Sequence, residues 1–527
     1  MKIIPLPKKI LEVEGVFIFE KGAGISCPFK NIRAQFNEFL LKTAKFSLVE
    51  GREIVFLIDG NLKIKPEGYV LEISSGITVK ALDENGLFYG MQTLKQIIYA
   101  YLQNGRAVIP RMNIEDEPRF SYRGFMFDCC RHFFGVDVVK RYIDVCAMHK
   151  LNVFHWHLTE DQGWRIQIDK YPKLTEIGSK RKETRGDKKP IEGFFTKQQI
   201  TEIVKYASDR YIEVIPEFDM PGHTRAVLAS YPELGCTGKS FEVATHFGVH
   251  QEILCAGEPK TYEFIYDVLD EMAKLFPSKY VHLGGDEAIK TEWAKCPKCN
   301  AKVKEVGLKN VEQLQGYMTK CVVEHLETLG KVAICWNECI NSGILDESAV
   351  MQYWQDGKKP LRVLNAVNSG RKTIISKFVP YYLDYPYGMT SLSNTYKFEP
   401  IIEGLDAAAE INIIGVEAPL WTEYVKTIEK ADYQIFPRLT AVAESAWTVK
   451  ENKNYSEFCR RYSQFDKLLK REGFNGATLA ESNPCFIKGK IELIKFGIDM
   501  YDRDNIKRSK LVVKEIRKTR KEAARDI

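Results

Sequence analysis

Tyr280-Val-His-Leu-Gly-Gly-Asp-Glu287 is a short apolar run that ends in two glycines and two adjacent carboxylates. Neighbouring side chains on a regular strand point to opposite faces, so both acids can serve one pocket only if the backbone turns there. Glycine permits such a turn and lets a ligand approach the main chain closely. The stretch therefore reads as a strand over 280–284 that stops at a binding cleft. From Tyr122 onward, similar runs recur at 124–129, 152–157, 213–218, 332–336, 350–354, 373–378 and 413–417. Helical patterns at 138–149, 197–210, 262–276 and 311–329 lie between the first five strands, and the helical signal thins after that. Strands alternating with helices imply a parallel sheet, and eight of them imply a closed (β/α)8 TIM barrel of the α/β class.

The 527 residues, 45% hydrophobic and 28% charged, suit an ordinary globular protein of two or three domains. The segment before the barrel carries strand patterns at 54–58 and 69–73 and a helical one at 86–101, which predicts a small α+β domain. Residues 106–118 hold two prolines and no strong period, so a domain boundary is expected there. The predicted organisation is an α+β domain over 1–118, the catalytic barrel over 119–447 and a helical region over 448–527. The net charge of +6 resides from Lys488 onward, where thirteen Lys and Arg face seven Asp and Glu. Ile506, Val513 and Ile516 recur there at helical spacing, which favours an amphipathic helix packed on the body over a nucleic-acid or membrane contact. Gly235-Cys-Thr-Gly-Lys-Ser240 lacks the Walker spacing. The sequence shows no signal-peptide pattern and no membrane-length segment, so a soluble cytoplasmic protein is expected. Thirteen cysteines, most of them in apolar segments, fit reduced thiols. Cys296-Pro-Lys-Cys299 is expected to be an exposed loop with two free thiols, since a structural zinc site needs four ligands.

In this fold, residues that act on a ligand collect at the carboxyl ends of the strands. Those ends supply Arg131, then Glu160 and Asp161, then Asp219 and His223, then Asp286 and Glu287. The later ends supply Trp336, Trp354, Tyr382 with Asp384, and Trp421 with Glu423. Each has an ordinary structural explanation taken alone, but their common placement describes a pocket for a sugar, with aromatic faces for C–H groups and carboxylates for hydroxyls. Adjacent residues have Cα atoms about 3.8 Å apart. An acid and a carboxylate nucleophile must flank the sugar, and an inverting pair needs still more room. Neighbours such as Asp286 and Glu287 can instead act from one side, one donating a proton and the other steering a nucleophile that belongs to the substrate. Mutual repulsion then keeps one of them protonated near neutrality.

Most of these residues fall in Arg123-Gly-Phe-Met-Phe-Asp128 with Arg131-His-Phe133, Phe154-His-Trp-His-Leu158 with Glu160-Asp-Gln-Gly-Trp164, Glu217-Phe-Asp-Met-Pro-Gly-His223, His282 to Glu287, and Trp421-Thr-Glu423. In that order they closely resemble glycoside hydrolase family 20, the β-N-acetylhexosaminidases. Pro66-Glu-Gly-Tyr69 and Gly86-Leu-Phe-Tyr-Gly90 resemble the small domain that commonly precedes that barrel. The resemblance implies a retaining enzyme in which the substrate's acetamido oxygen attacks the anomeric carbon to give an oxazolinium intermediate. It matches Glu287 to the general acid, Asp286 to the group orienting the acetamido N–H, and Tyr382 to the hydroxyl holding its carbonyl. Trp336, Trp354 and Trp421 match the sugar-binding walls, and Arg131, Asp384 and Glu423 match the partners of ring hydroxyls. Glu160 and His223 match a relay behind the acid, although many members carry aspartate at position 160. No metal and no cofactor are implied, and His155 and His157 read as packed, hydrogen-bonded histidines. The expected substrate is an oligosaccharide or glycoconjugate with a terminal β-linked N-acetylglucosamine, with N-acetylgalactosamine as a second candidate. The alternatives are a disaccharide-releasing relative and a non-catalytic sugar-binding barrel. Linkage preference and oligomeric state, monomer or homodimer, stay open.

Overall fold

The computed structural model describes residues 2–355, 361–500, 510 and 514. The amino-terminal unit is a mixed sheet in the order Lys9–Phe19, Arg106–Asp116, Tyr69–Ile73, Ile77–Ala81, Ile54–Ile58, Gly24–Ser26 and Val49–Glu50. Alternate residues Tyr69, Leu71, Ile73, Ile77, Val79 and Ala81 are buried, as the two-residue period of a half-covered sheet requires. The helix Glu84–Tyr101 packs on it, with Asp83 capping its first turn through Gly86 N–H at 2.7 Å.

Residues 106–116, unmarked as a strand in the sequence, form an eleven-residue strand inside the sheet that leads up to the boundary between the two units. Pro110 is tolerated because it lies opposite Val16, where the partner strand bulges between Glu12 and Val16. On its other side, Tyr69–Ile73 reaches only Met112–Asp116. The missing N–H therefore falls where the ladder is already interrupted.

Eight parallel strands then close into a barrel: Tyr122–Asp128, Val153–His157, Glu213–Glu217, Tyr280–His282, Val332–Trp336, Val350–Tyr353, Thr373–Ile375 and Ile413–Leu420. Every residue of the first two is buried, as befits a parallel sheet covered on both faces. The fourth and seventh strands end earlier than their apolar runs suggested, because the chain turns there into the pocket. Helices Val136–Met148, Lys197–Ser208, Pro259–Leu275 and Val311–Thr328 stand where they were expected. After the sixth strand the covering helices are short, Leu361–Asn368 and Leu392–Lys397 among them, which accounts for the thin periodicity.

The two units are joined by buried polar groups. Lys150 donates to Asp116 Oδ2 and to Tyr69 Oη, both at 2.9 Å, and Trp447 Nε1 donates to Asp116 Oδ1 at 2.8 Å. Arg123 donates to Glu67 at 2.7 Å and to the carbonyls of Lys150 and Phe120, so this motif arginine holds the small domain on the barrel and does not reach the pocket. Beyond the barrel, Tyr455–Arg471 buries Phe458, Tyr462 and Phe465. Helix Phe486–Met500 places Phe496 against Tyr385 and Tyr424, at 5.4 and 5.1 Å between ring centres. The expected helix through Ile506, Val513 and Ile516 lies outside the described residues. Among the described residues no helix is long and apolar enough to cross a membrane.

Cys296 and Cys299 do not sit in an exposed loop. Both are buried, because the first turn of helix Pro297–Glu305 lies against Gly257 so tightly that a Cβ there would come within 2.3 Å of Cys299 N.

Asp116→Ala would strand the Lys150 ammonium between the two units. We expect a loss of about 3–5 kcal/mol of stability, read from urea unfolding. An unchanged midpoint would show that this ion pair does not hold the units together.

Candidate active site

The turn after the fourth strand is built from positive-φ residues. Gly284 and Gly285 have φ of 61° and 100°, and Glu287 itself has φ of 47°. A Cβ on Gly284 would lie 1.8 Å from Asp219 Oδ1, so only glycine fits. Asp219 Oδ1 accepts the Gly285 N–H at 3.0 Å, and Gln315 Nε2 donates to the Gly285 carbonyl at 2.8 Å. The turn at Gly285 is thereby held from both sides, and it leads into a left-handed conformation at Glu287, uncommon for a residue with a side chain. It brings both acids to one imidazole: His223 Nε2 lies 3.9 Å from Asp286 Oδ2 and 3.7 Å from Glu287 Oε2.

Behind His223 stands Glu160, whose Oε1 meets His223 Nδ1 at 2.8 Å. Its Oε2 meets Arg131 Nη2 at 2.8 Å and His157 Nε2 at 3.2 Å. The longer glutamate at position 160 thus closes the chain from His223 to Arg131. Arg131 also reaches Asp128 at 3.3 Å and Glu423 at 3.6 Å, and its guanidinium lies over Trp421, 4.8 Å from the ring centre. Deeper still, Glu217 gathers His157, His155 at 3.1 Å, His282 at 2.9 Å and Trp336 Nε1 at 3.1 Å. His155 Nδ1 pairs with Glu417 at 2.9 Å. The His155 and His157 pair is therefore engaged with carboxylates in the barrel interior.

Trp336, Trp354, Tyr382 and Trp421 form one buried aromatic group with Met126. Tyr382 lies 6.1 Å from Trp354 and 6.2 Å from Trp421, and Trp336 lies 6.0 Å from Trp421. Glu338 accepts from Trp354 Nε1 at 2.9 Å and fixes the tilt of that wall. Asp384 is only 4% exposed. Its Oδ1, like Asp286 Oδ1, is buried without a protein hydrogen-bond partner among the described residues. Buried acceptors of this kind are costly unless something donates to them, so both are set to receive a ligand's hydroxyl or N–H.

The carboxylates fall into two tiers. In the lower tier, burial opposes ionisation but is overcome by cations. Arg131 and His223 hold Glu160 well below the usual range, and His157, His282 and His155 do the same for Glu217. In the upper tier burial prevails. It raises Asp286, against the pull of His223, and Asp384 and Glu423 are raised likewise. Glu287 is pushed to about 7, first by burial and then by the charge of Asp286. His223 is held well above the ordinary histidine value because the carboxylates of Glu160 and Asp286 outweigh its burial. Burial and the nearby Asp286 charge keep the Tyr382 phenol protonated. The site thus offers a proton on Glu287 near neutrality, a field of negative charge, and a neutral hydroxyl within one aromatic-walled pocket.

All eleven residues selected from the sequence lie in or directly behind this pocket. Three others escaped selection. Asp219, an acid at a strand end with no role legible in the sequence, shapes the turn. Glu217 was quoted within a motif, and it orders the histidines beneath. Glu338 lies two residues past Trp336, a position that could have flagged it.

The family model for the glycosyl hydrolase family 20 catalytic domain matches residues 120–450, and that for domain 2 of the same family matches residues 1–117. A beta-hexosaminidase of Porphyromonas gingivalis is 39% identical over 504 residues, covering 90% of this chain and 64% of its own, so this chain spans a little under two thirds of that relative. One from Akkermansia muciniphila is 33% identical, covering 80% of this chain and 88% of its own. Among solved structures, the exo beta-N-acetylglucosaminidase of Vibrio harveyi in complex with N-acetylglucosamine superposes with a TM-score of 0.83 at 30% identity, covering 91% of this chain and 78% of its own. The Streptomyces plicatus N-acetyl-beta-hexosaminidase in complex with Thio-NAglucal gives 0.81 at 32% identity, covering 90% and 96%. With both family segments matched in register with the two units of the fold, the chain belongs to glycosyl hydrolase family 20, the family of the β-N-acetylhexosaminidases.

Proposed function

We propose that this chain is an exo-acting β-N-acetylhexosaminidase that removes terminal N-acetylglucosamine by substrate-assisted, retaining catalysis. The observation that carries this reading is the placement of Asp286 and Glu287 on one side of one pocket, within 3.9 and 3.7 Å of the same imidazole nitrogen. Neither can reach round a sugar to attack the face opposite the leaving group, so the nucleophile comes from the substrate. The acetamido oxygen attacks the anomeric carbon, Glu287 protonates the departing oxygen, and Asp286 accepts the acetamido N–H and stabilises the oxazolinium charge. Tyr382 donates to the acetamido carbonyl, whose methyl lies among the tryptophans. In the second step Glu287, now ionised, takes a proton from the water that opens the ring, and configuration is retained. Arg131, Asp384 and Glu423 close the far end around the hydroxyls of a terminal sugar, which favours single-residue release over a disaccharide.

The bound N-acetylglucosamine of the Vibrio harveyi relative supports the choice of sugar. We place the protein in the cytoplasm, a reading supported by cysteines that are all free thiols.

Hydrolysis of 4-nitrophenyl N-acetyl-β-glucosaminide, with the β-anomer of the free sugar appearing first by NMR, tests the assignment. Equal turnover of the plain 4-nitrophenyl β-glucoside, which lacks the acetamido group, would overturn the mechanism. Glu287→Gln should lower kcat on alkyl or sugar leaving groups by roughly 10²–10⁴-fold and affect 4-nitrophenyl substrates less. Asp286→Ala should cost about a hundredfold or more even with activated leaving groups.

The pH profile follows from the acid. Glu287 works protonated, so kcat/KM should fall as pH rises through about 7. The charge of Asp286 raises that pKa and the charge of His223 lowers it. Asp286→Asn should therefore move the basic limb to lower pH, and His223→Ala should move it to higher pH. Limbs that stay put in both variants would show that another group titrates.

A further inference from the structure

Four cysteines meet outside the sugar pocket. Cys236 follows the short helix Pro232–Leu234, and Cys255 precedes helix Pro259–Leu275. Cys296 caps helix Pro297–Glu305, and Cys299 lies in its first turn. Cys255, Cys296 and Cys299 are buried, and Cys236 is half-buried. All four sulfurs lie within 4.8 Å of one another. The Cys236–Cys299 and Cys255–Cys296 distances are 3.8 Å, and Cys255–Cys299 is 3.6 Å.

Those lengths exclude disulfides and match the edges of a tetrahedral thiolate site. A disulfide holds its sulfurs about 2.05 Å apart. A tetrahedron with metal–sulfur bonds of about 2.3 Å has sulfur–sulfur edges of about 3.8 Å. We propose that Cys236, Cys255, Cys296 and Cys299 bind one structural Zn²⁺ ion.

Four thiolates leave no open position for water or substrate, so the ion serves architecture and not hydrolysis. Binding releases the thiol protons, and the surroundings favour the anions that result. The helix beginning at Pro297 directs its amino terminus at Cys296 and Cys299. Gly257 allows the two ligand-bearing segments to close on each other, since any side chain there would overlap the Lys298–Cys299 peptide. The ion would staple the loop after the third barrel strand, which carries His223, to the loop after the fourth, which carries Asp286 and Glu287. This site is independent of the sugar chemistry.

The test is elemental analysis by inductively coupled plasma mass spectrometry of the full chain, produced in zinc-containing medium and purified under a reductant without chelator. One zinc per chain is expected. It should be released by a thiol-blocking mercurial, and cobalt in its place should show the thiolate charge-transfer and tetrahedral d–d bands. Cys299→Ser and Cys255→Ser should lose the zinc and melt several degrees lower, and Cys321→Ser, outside the cluster, should keep it. Even if the first two variants fail to fold, the metal content and the cobalt spectrum of the unaltered protein decide the question. Metal-free folded protein, iron in place of zinc, or an intact mass short by four hydrogens, as two disulfides would give, overturns the proposal.

Discussion

Asp219 and Gly284 occupy nearly the same space. The carboxylate of one fills the volume where the other would carry a Cβ, and the Gly285 N–H is the donor that makes this contact favourable. This packing lets the chain leave the fourth strand in a left-handed turn, Gln315 holds the Gly285 carbonyl from the opposite side, and Glu287 two residues on is left-handed as well. Such a residue costs on the order of 1–3 kcal/mol, which the surrounding contacts must supply. Without the turn, strand geometry would send Asp286 and Glu287 to opposite faces, and no arrangement of aromatic walls could restore a shared pocket.

The electrostatics are layered on that turn. Beneath it, Glu160, Glu217 and Glu417 are each tied to a histidine or to Arg131, so the negative charge there is fixed and neutralised locally. Above it, Asp286, Glu287, Asp384 and Glu423 share too few cations and are raised by burial. An upper tier that is reluctant to ionise can hold the proton Glu287 must give away, and it offers partial negative charge to a sugar becoming positive. His223 joins the tiers, since one nitrogen meets Glu160 and the other faces both acids. The relay therefore sets how readily the proton leaves, and it does so without touching the sugar.

Much of this was legible because barrel strands write their chemistry locally. A parallel strand is a short apolar run, its carboxyl end is the next few residues, and the residue types there can be read in order, from Arg131 through Glu423. Strand bounds and helix ends follow within a few residues. What escaped reading depended on partners distant in sequence. Pro110 hides the strand over 106–116, since the bulge that accommodates it belongs to residues 12–16. The contribution of Asp219 is a contact with a backbone more than sixty residues away. Arg123 stands in a motif beside pocket residues, and only the fold shows that it faces Glu67 and the small domain.

The cysteines show the same limit most sharply. Cys296 and Cys299 present half of a ligand set in sequence, and the nearest pair that could complete it by spacing, Cys335 and Cys339, lies elsewhere in the barrel. The thiols that complete the group, Cys236 and Cys255, come from the loop after the third strand. Consecutive strands of a parallel barrel are neighbours, so their following loops emerge side by side at the mouth, and residues forty to sixty apart meet there by construction. The same adjacency sets His223 beside Asp286 and Glu287. One pair of neighbouring loops thus carries both the reactive acids and a cluster of thiols. A crosslink between those loops would limit how far the acid can drift from its relay, whose imidazole stands 3.7 Å from Glu287.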